Sequence, residues 1–102
     1  MVTDSNTKLE QFERTLRQIM PDLTEKYKVR QIGIFGSYRR GEQKKSSDLD
    51  LLVEFFEPVG LFDFIRLEDF LSEQLGVKVD LIMKDALKPL LRDKIINEAR
   101  YI

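Results

Sequence analysis

Three aspartates on two predicted strands are the residues of this sequence best suited to chemistry. Asp48 and Asp50 stand two positions apart at the start of the apolar segment DLDLLVEF, and Asp80 lies within VKVDLIM. Side chains alternate between the two faces of a strand, so Asp48 and Asp50 share one face and Leu49 and Leu51 take the other. If the two strands are neighbours in the sheet, Asp80 lies beside this pair.

Such a cluster needs a physical reason, because aspartate is depleted in strands. Two unit charges ~4 Å apart repel by about 4 kcal/mol at an effective dielectric of about 20. A divalent cation would offset that repulsion. We therefore predict that Asp48, Asp50 and Asp80 are catalytic metal ligands, and that Glu54, on the same face, is solvated. The alternative is that Asp48 belongs to the turn and Asp50 is a solvent-facing strand residue.

The composition limits which metal ions the protein can bind, and it indicates the protein's binding partners and cellular compartment. The chain has 102 residues, a net charge of -1, and neither His nor Cys. Metal and acid–base chemistry must then use carboxylates, whose oxygens suit Mg²⁺ or Mn²⁺. The near-neutral charge predicts no direct nucleic-acid binding. The lack of Cys, of a secretory signal and of long apolar runs favours a cytoplasmic protein with no membrane association.

A Gly-Ser turn precedes the acidic strand at a fixed distance. Gly36 and Ser37 are followed by ten residues and then by Asp48. Glycine lets a phosphate approach the backbone because it has no Cβ. Ser37 offers a hydroxyl at a predicted helix start, where free N–H groups favour anions. The pair therefore predicts a phosphate-binding turn, although a Gly-Ser pair alone is weak evidence.

Four cations follow this turn within seven residues. Arg39 and Arg40 could bind the triphosphate or an acidic partner, and a solvated loop is an equal alternative for them. For Lys44 and Lys45 the solvated loop is favoured.

The remaining sequence predicts one α+β domain over residues 1–102: a small mixed β-sheet with helices packed on one face. Helical periodicity predicts amphipathic helices over 9–27, 61–75 and 87–99, with a kink or two short helices at Pro21. Strands are predicted over 31–36, 49–56 and 77–83, a helical turn over 37–40, and a helix C-cap at Gly76. Phe62 and Phe64 are expected in the core, in preference to stacking on a base.

The pattern Gly36-Ser37, ten residues, Asp48-x-Asp50 and a later Asp80 resembles the nucleotidyltransferase, or polymerase-beta-like, superfamily. The forms GSYRRG…SDLDLLVEF and KVDLI, in a chain of this length, look like its minimal branch, the MNT domain proteins. The resemblance covers residues 9–102. It implies a nucleotidyltransferase-like core with the three aspartates as ligands of two Mg²⁺ ions. Tyr38 and Arg39 depart from the usual pattern, and we expect the site to be unaffected.

The resemblance also implies a function and a partner. Such proteins commonly act as antitoxins of HEPN-domain ribonuclease toxins, and they transfer AMP from ATP to a tyrosine of the toxin. The expected activity is therefore protein adenylyltransfer with ATP as substrate, at a site of Asp48, Asp50, Asp80, Gly36, Ser37, Arg39 and Arg40. Two alternatives remain: a non-catalytic antitoxin that neutralises its partner by binding, and nucleotidyl transfer to a small molecule.

Overall fold

Four helices and four strands make up the fold of residues 4–102. A computed structural model describes residues 4–102, with side chains from residue 8 onward. The elements in chain order are α1 (Asp4–Tyr27), β1 (Val29–Phe35), α2 (Ser37–Arg40), β2 (Leu49–Phe55), α3 (Leu61–Leu75), β3 (Val79–Met83), α4 (Pro89–Glu98) and β4 (Arg100–Tyr101), with a 3-10 turn at Lys84–Ala86 before α4. The strand order is β3-β2-β1-β4. β1 runs antiparallel to β2 and β4, whereas β2 and β3 are parallel, so the predicted α+β fold with a mixed sheet is confirmed.

The hydrophobic core holds α1 and α3 against one face of the sheet. Its fully buried members include Leu16, Leu23, Ile32, Ile34, Leu49, Leu51, Val53, Leu67 and Leu71. Burying one such side chain contributes roughly 1.5–3 kcal/mol relative to leaving it exposed. The alternate positions of β2, including Asp50, therefore point to the opposite face.

Pro21 does not divide the first helix. α1 is one helix of 24 residues with Pro21 inside it, so separation into two helices is not found. Leu16 and Leu23, on either side of the proline, are both fully buried. Pro21 itself is exposed, and water can satisfy the carbonyl that lacks its usual N–H partner there.

The prediction that the C-terminal helix contributes an apolar stripe to the core was wrong. None of the ten residues of α4, all described by the structure, is buried, and Leu90 is 97% exposed. Periodicity shows that a helix has an apolar face but does not show whether another element covers that face. The chain leaves α4 through Glu98 into β4, a strand too short to be recognised by alternation, which pairs Arg100 with Ile34.

The two phenylalanines near the start of α3 differ. Phe64 packs against the core and its ring centroid lies 6.4 Å from that of Phe55, as predicted. Phe62 is 78% exposed, so its expected place in the core was wrong. Phe62 lies beyond the C-terminal end of β2, whereas Asp50 lies at the N-terminal end of that strand.

A search of the described residues finds no helix with the length and hydrophobicity that a membrane span requires.

Candidate active site

The parallel pairing of β2 and β3 brings two of the three aspartates side by side. Asp50 lies directly opposite Asp80, and Leu49 lies opposite Val79. Leu49 and Val79 are buried in the core, so the aspartates one position later belong to the other face. Asp50 is half-buried and Asp80 is exposed. The adjacency expected from the sequence is present for Asp50 and Asp80, and the role of these carboxylates as metal ligands stays a prediction.

Asp50 is in an unfavourable environment for a carboxylate. Burial raises its pKa from the ordinary 3.8 to about 6, and the charges of Asp80 and then Asp48 add to the rise. Arg40 acts in the opposite direction. The other two predicted ligands therefore both disfavour the charged form of Asp50. A cation at this place would offset a repulsion that Arg40 compensates only in part.

Gly36 brings the predicted phosphate turn against Asp50. Its backbone has φ 78° and ψ -153°, a region essentially restricted to glycine. A Cβ built on Gly36 would overlap Oδ2 of Asp50 and lie 2.9 Å from its Cγ. The turn and the carboxylate thus occupy adjacent space. α2 begins at the next residue, Ser37.

Tyr38, one of the two residues that depart from the usual pattern, packs into the hydrophobic core. Tyr38 is buried, and its ring meets that of Phe12 edge-on at 5.3 Å. It anchors α2 to α1, and the helix ends at Gly41, which has φ 74°.

The sequence analysis missed Glu98, the last residue of α4. Its Oε2 accepts a hydrogen bond from Gly36 N at 3.1 Å, and its Oε1 lies 2.9 Å from Nη1 of Arg40. One signal was available: an acid in the last turn of a helix faces the negative end of the helix dipole, so it needs a compensating partner. The turn and Arg40 are the partners that compensate it.

The two predicted arginines are both engaged by the chain itself. Arg40 Nε lies 3.3 Å from Oε2 of Glu42, in addition to the contact with Glu98. Arg39 Nε donates to the main-chain oxygen of Glu98 at 3.1 Å. Their predicted binding of triphosphate is neither confirmed nor contradicted by these contacts. Lys44 and Lys45 are exposed in the loop before β2, as favoured.

The carboxylates suit a divalent cation by donor type and charge. Among the side chains described, from residue 8 onward, no three acidic groups stand close enough together to hold a metal ion. Asp48 instead lies with its Oδ2 3.9 Å from Nζ of Lys78. Oxygen donors of this kind are those that Mg²⁺ prefers. Asp48, Asp50 and Asp80 are therefore the residues that would hold it.

Comparison with known proteins identifies the class. A family model described as the nucleotidyltransferase domain matches residues 16–102. Protein adenylyltransferase MntA of Thermococcus cleftensis is 45% identical over 94 residues, covering 92% of this chain and 95% of that protein. A solved structure described as a minimal nucleotidyltransferase has a TM-score of 0.73 and 37% identity, covering 95% of this chain and 94% of that one.

A more distant likeness concerns the fold alone. The complex of a tri-AMPylated Shewanella oneidensis HEPN toxin with an MNT antitoxin contains a chain with a TM-score of 0.63 and 20% identity. The match covers 88% of this chain and 70% of that one.

The mixed sheet and these matches define a nucleotidyltransferase. The chain belongs to the nucleotidyltransferase domain family, and the predicted family and enzyme class are confirmed.

Proposed function

We propose that this protein transfers AMP from ATP to a hydroxyl of a partner protein, in a reaction that depends on Mg²⁺. The partner is a HEPN-type toxin, the acceptor is one of its tyrosines, and the modification makes this chain the antitoxin. The observation that carries the proposal is the pairing of Asp50 with Asp80 beside Gly36. Two comparisons support a protein as the acceptor. The Thermococcus cleftensis relative is named a protein adenylyltransferase, and the Shewanella oneidensis complex contains an AMPylated toxin.

Each group in the site has a proposed role. Asp48, Asp50 and Asp80 would hold two Mg²⁺ ions, which would supply positive charge opposite the triphosphate and the developing negative charge of the transition state. Gly36 lets a phosphate approach the backbone because it has no Cβ, and the Ser37 hydroxyl holds a phosphate oxygen. Asp80, the exposed acid, accepts the proton of the acceptor hydroxyl. The hydroxyl oxygen then bonds to the α-phosphorus and pyrophosphate leaves.

Surface features favour a protein as the acceptor over a small molecule. Leu61, Phe62 and Ile65 are exposed at the start of α3, where helical spacing makes them neighbours. Exposed apolar groups of this kind are typical of surfaces that bind other proteins. A cavity of about 430 Å³ lies at the far end of β2, lined by Phe56, Val59, Met83 and their neighbours, and not against Asp50. A small acceptor bound there would be held away from the proposed chemistry.

The test is transfer of label from α-labelled ATP to the purified HEPN toxin. Wild-type protein should label the toxin in the presence of Mg²⁺, and Asp48→Asn and Asp50→Asn should not. Glu54→Gln is the matched control, because Glu54 is an acid of β2 on the same face as Asp50 that is not proposed as a ligand. Label on the toxin with Asp50→Asn would contradict the metal assignment.

A binding measurement separates catalysis from neutralisation by occlusion. Asp50→Asn should still form the complex with the toxin while failing to protect cells from it. Protection by the inactive variant would favour the non-catalytic antitoxin, and efficient transfer to free small alcohols would favour a small-molecule acceptor.

A further inference from the structure

We propose that Glu98 is a positioning residue for the nucleotide site: it fixes the Gly36 turn and Arg40 relative to Asp50. The inference rests on the proposed function and adds a residue that neither the sequence pattern nor the family match assigns. Glu98 is expected to act through the groups that it orients, without touching the nucleotide itself.

The end of the β1–β4 ladder brings Glu98 to the turn. β4 pairs with β1 at Gly33–Tyr101 and Ile34–Arg100. Two positions beyond the last pair, the N–H of Gly36 donates to the Glu98 carboxylate at 3.1 Å. The Glu98 side chain thus bonds the backbone at the position where the backbone pairing of β1 with β4 has ended. It orients the amide of Gly36, which has no Cβ and therefore has more backbone freedom than any other residue type.

The second carboxylate oxygen has a different partner. Oε1 of Glu98 lies 2.9 Å from Nη1 of Arg40, and the main-chain oxygen of Glu98 accepts from Arg39 Nε at 3.1 Å. One residue therefore holds both the start and the end of α2. The Glu98 side chain is 18% exposed, against 44% for that of Arg40, so the carboxylate is the better-fixed member of the pair.

The geometry favours positioning over competition with the nucleotide. The N–H of Gly36, the residue that follows β1, points to the side of β1 on which β4 lies, where Glu98 accepts its hydrogen bond. Asp50 lies on the other side of β1, since Phe35 pairs with Asp50 on β2. A phosphate bound near Asp50 and Ser37 can therefore leave the contact between Glu98 and Gly36 intact. If the carboxylate instead occupied the phosphate position, its removal would strengthen nucleotide binding.

Glu98→Gln is the informative variant. Glutamine has one acceptor oxygen, whereas Glu98 uses two, so either Gly36 or Arg40 loses its partner. Glu42→Gln is the matched control, because it removes the other carboxylate bound to Arg40 and leaves the turn untouched. Titration of each protein with Mg²⁺ and the non-hydrolysable analogue AMP-PNP gives the Kd, and thermal melting reports the fold.

We expect the Kd of Glu98→Gln to be about tenfold weaker, the effect of losing one hydrogen bond to a charged group. The Kd of Glu42→Gln should stay within about twofold, as for a surface ion pair. Unchanged or tighter binding in Glu98→Gln would overturn the proposal. If Glu98→Gln also lowers Tm, the weaker binding could come from the misplaced turn or from a generally looser fold, and Arg100→Gln decides between these two causes. Arg100→Gln removes the ion pair between β4 and Glu13 but leaves the Gly36 turn unchanged. An equal loss of affinity in Arg100→Gln would overturn the proposal.

A readout without nucleotide keeps this inference distinct from the proposed function. Hydrogen exchange of the Gly36 amide should be at least about tenfold faster in Glu98→Gln than in wild type and Glu42→Gln. Unchanged exchange would overturn the positioning role even if transfer activity is intact. Wild-type protein that binds no nucleotide, together with faster exchange in the variant, would contradict the proposed function and leave the structural role of Glu98 supported.

Discussion

Replacing Gly36 by alanine tests two features of this position: a backbone conformation that favours glycine, and a close approach to Asp50 that leaves no room for a Cβ. The backbone there has φ 78° and ψ -153°, where a residue with a Cβ costs about 1–3 kcal/mol. The new Cβ would overlap Oδ2 of Asp50, and the side chain of Asp50 would have to turn away at a cost of about 0.5–1.5 kcal/mol. We expect Gly36→Ala to lower the free energy of unfolding by about 1.5–4.5 kcal/mol.

The larger effect should fall on activity. A misplacement of about 1 Å in a catalytic group can cost roughly a hundredfold in rate, and Asp50 is the carboxylate that must move. Transfer of label from ATP to the toxin by Gly36→Ala should therefore fall by about a hundredfold or more when measured at a temperature where the variant is folded.

Gly76→Ala is the matched control. Gly76 caps α3 with φ 69°, and a Cβ there would meet nothing within 4 Å. It should cost about 1–2 kcal/mol of backbone strain and leave transfer unchanged. Urea unfolding of both variants, followed by transfer assays, checks the comparison. Transfer by Gly36→Ala within about twofold of wild type, at equal folded fraction, would refute the coupling between the turn and Asp50.

Four other measurements test separate features. The pKa of Asp50 is raised to about 6, so the folded state binds the extra proton and metal-free wild type should lose stability as pH rises from about 4 to about 6. The loss should be below about 3 kcal/mol because the group is half exposed, and Asp50→Asn should remove it in urea titrations across that range. Mg²⁺ with ATP should raise the Tm of wild type, EDTA should reverse the rise, and Asp50→Asn should show neither effect; equal shifts would contradict a site at Asp50. Arg100→Gln should lower stability by about 1.5–3 kcal/mol by urea unfolding, because the Glu13 side chain is 4% exposed and Arg100 Nε is its closer partner at 3.0 Å. Leu90→Ser should change stability by less than about 0.5 kcal/mol, whereas Leu16→Ala should cost about 2–5; a large effect at Leu90 would show that α4 is buried after all.

Local patterns predicted most of the elements. Alternation along DLDLLVEF identified β2 and assigned Asp50 to the face away from the core. Gly76 marked the end of α3, where the structure has φ 69° and an N–H bonded to the Ser72 carbonyl. Both signals act over a few residues, since they depend on strand pleating and on the freedom of glycine.

Patterns that need a partner were less informative. Leu90 of α4 and Phe62 of α3 have the spacing of buried residues and are exposed. Apolar spacing specifies one face of a helix, but α1 and α3 already fill the covered side of the sheet. Only the packing of the whole chain decides which apolar faces find a partner.

The sequence by itself determined the chemistry available to this protein. Without His or Cys, any metal site has to use carboxylates, and the spacing of Gly36, Ser37, Asp48 and Asp50 by itself indicates the class. The tertiary structure decided which of these residues lie next to one another. The parallel pairing of β2 with β3 brings Asp80 to Asp50 across 30 positions of chain, and the β1–β4 ladder brings Glu98 to Gly36 across 62. Such contacts depend on strand order and register, which arise when the whole core forms.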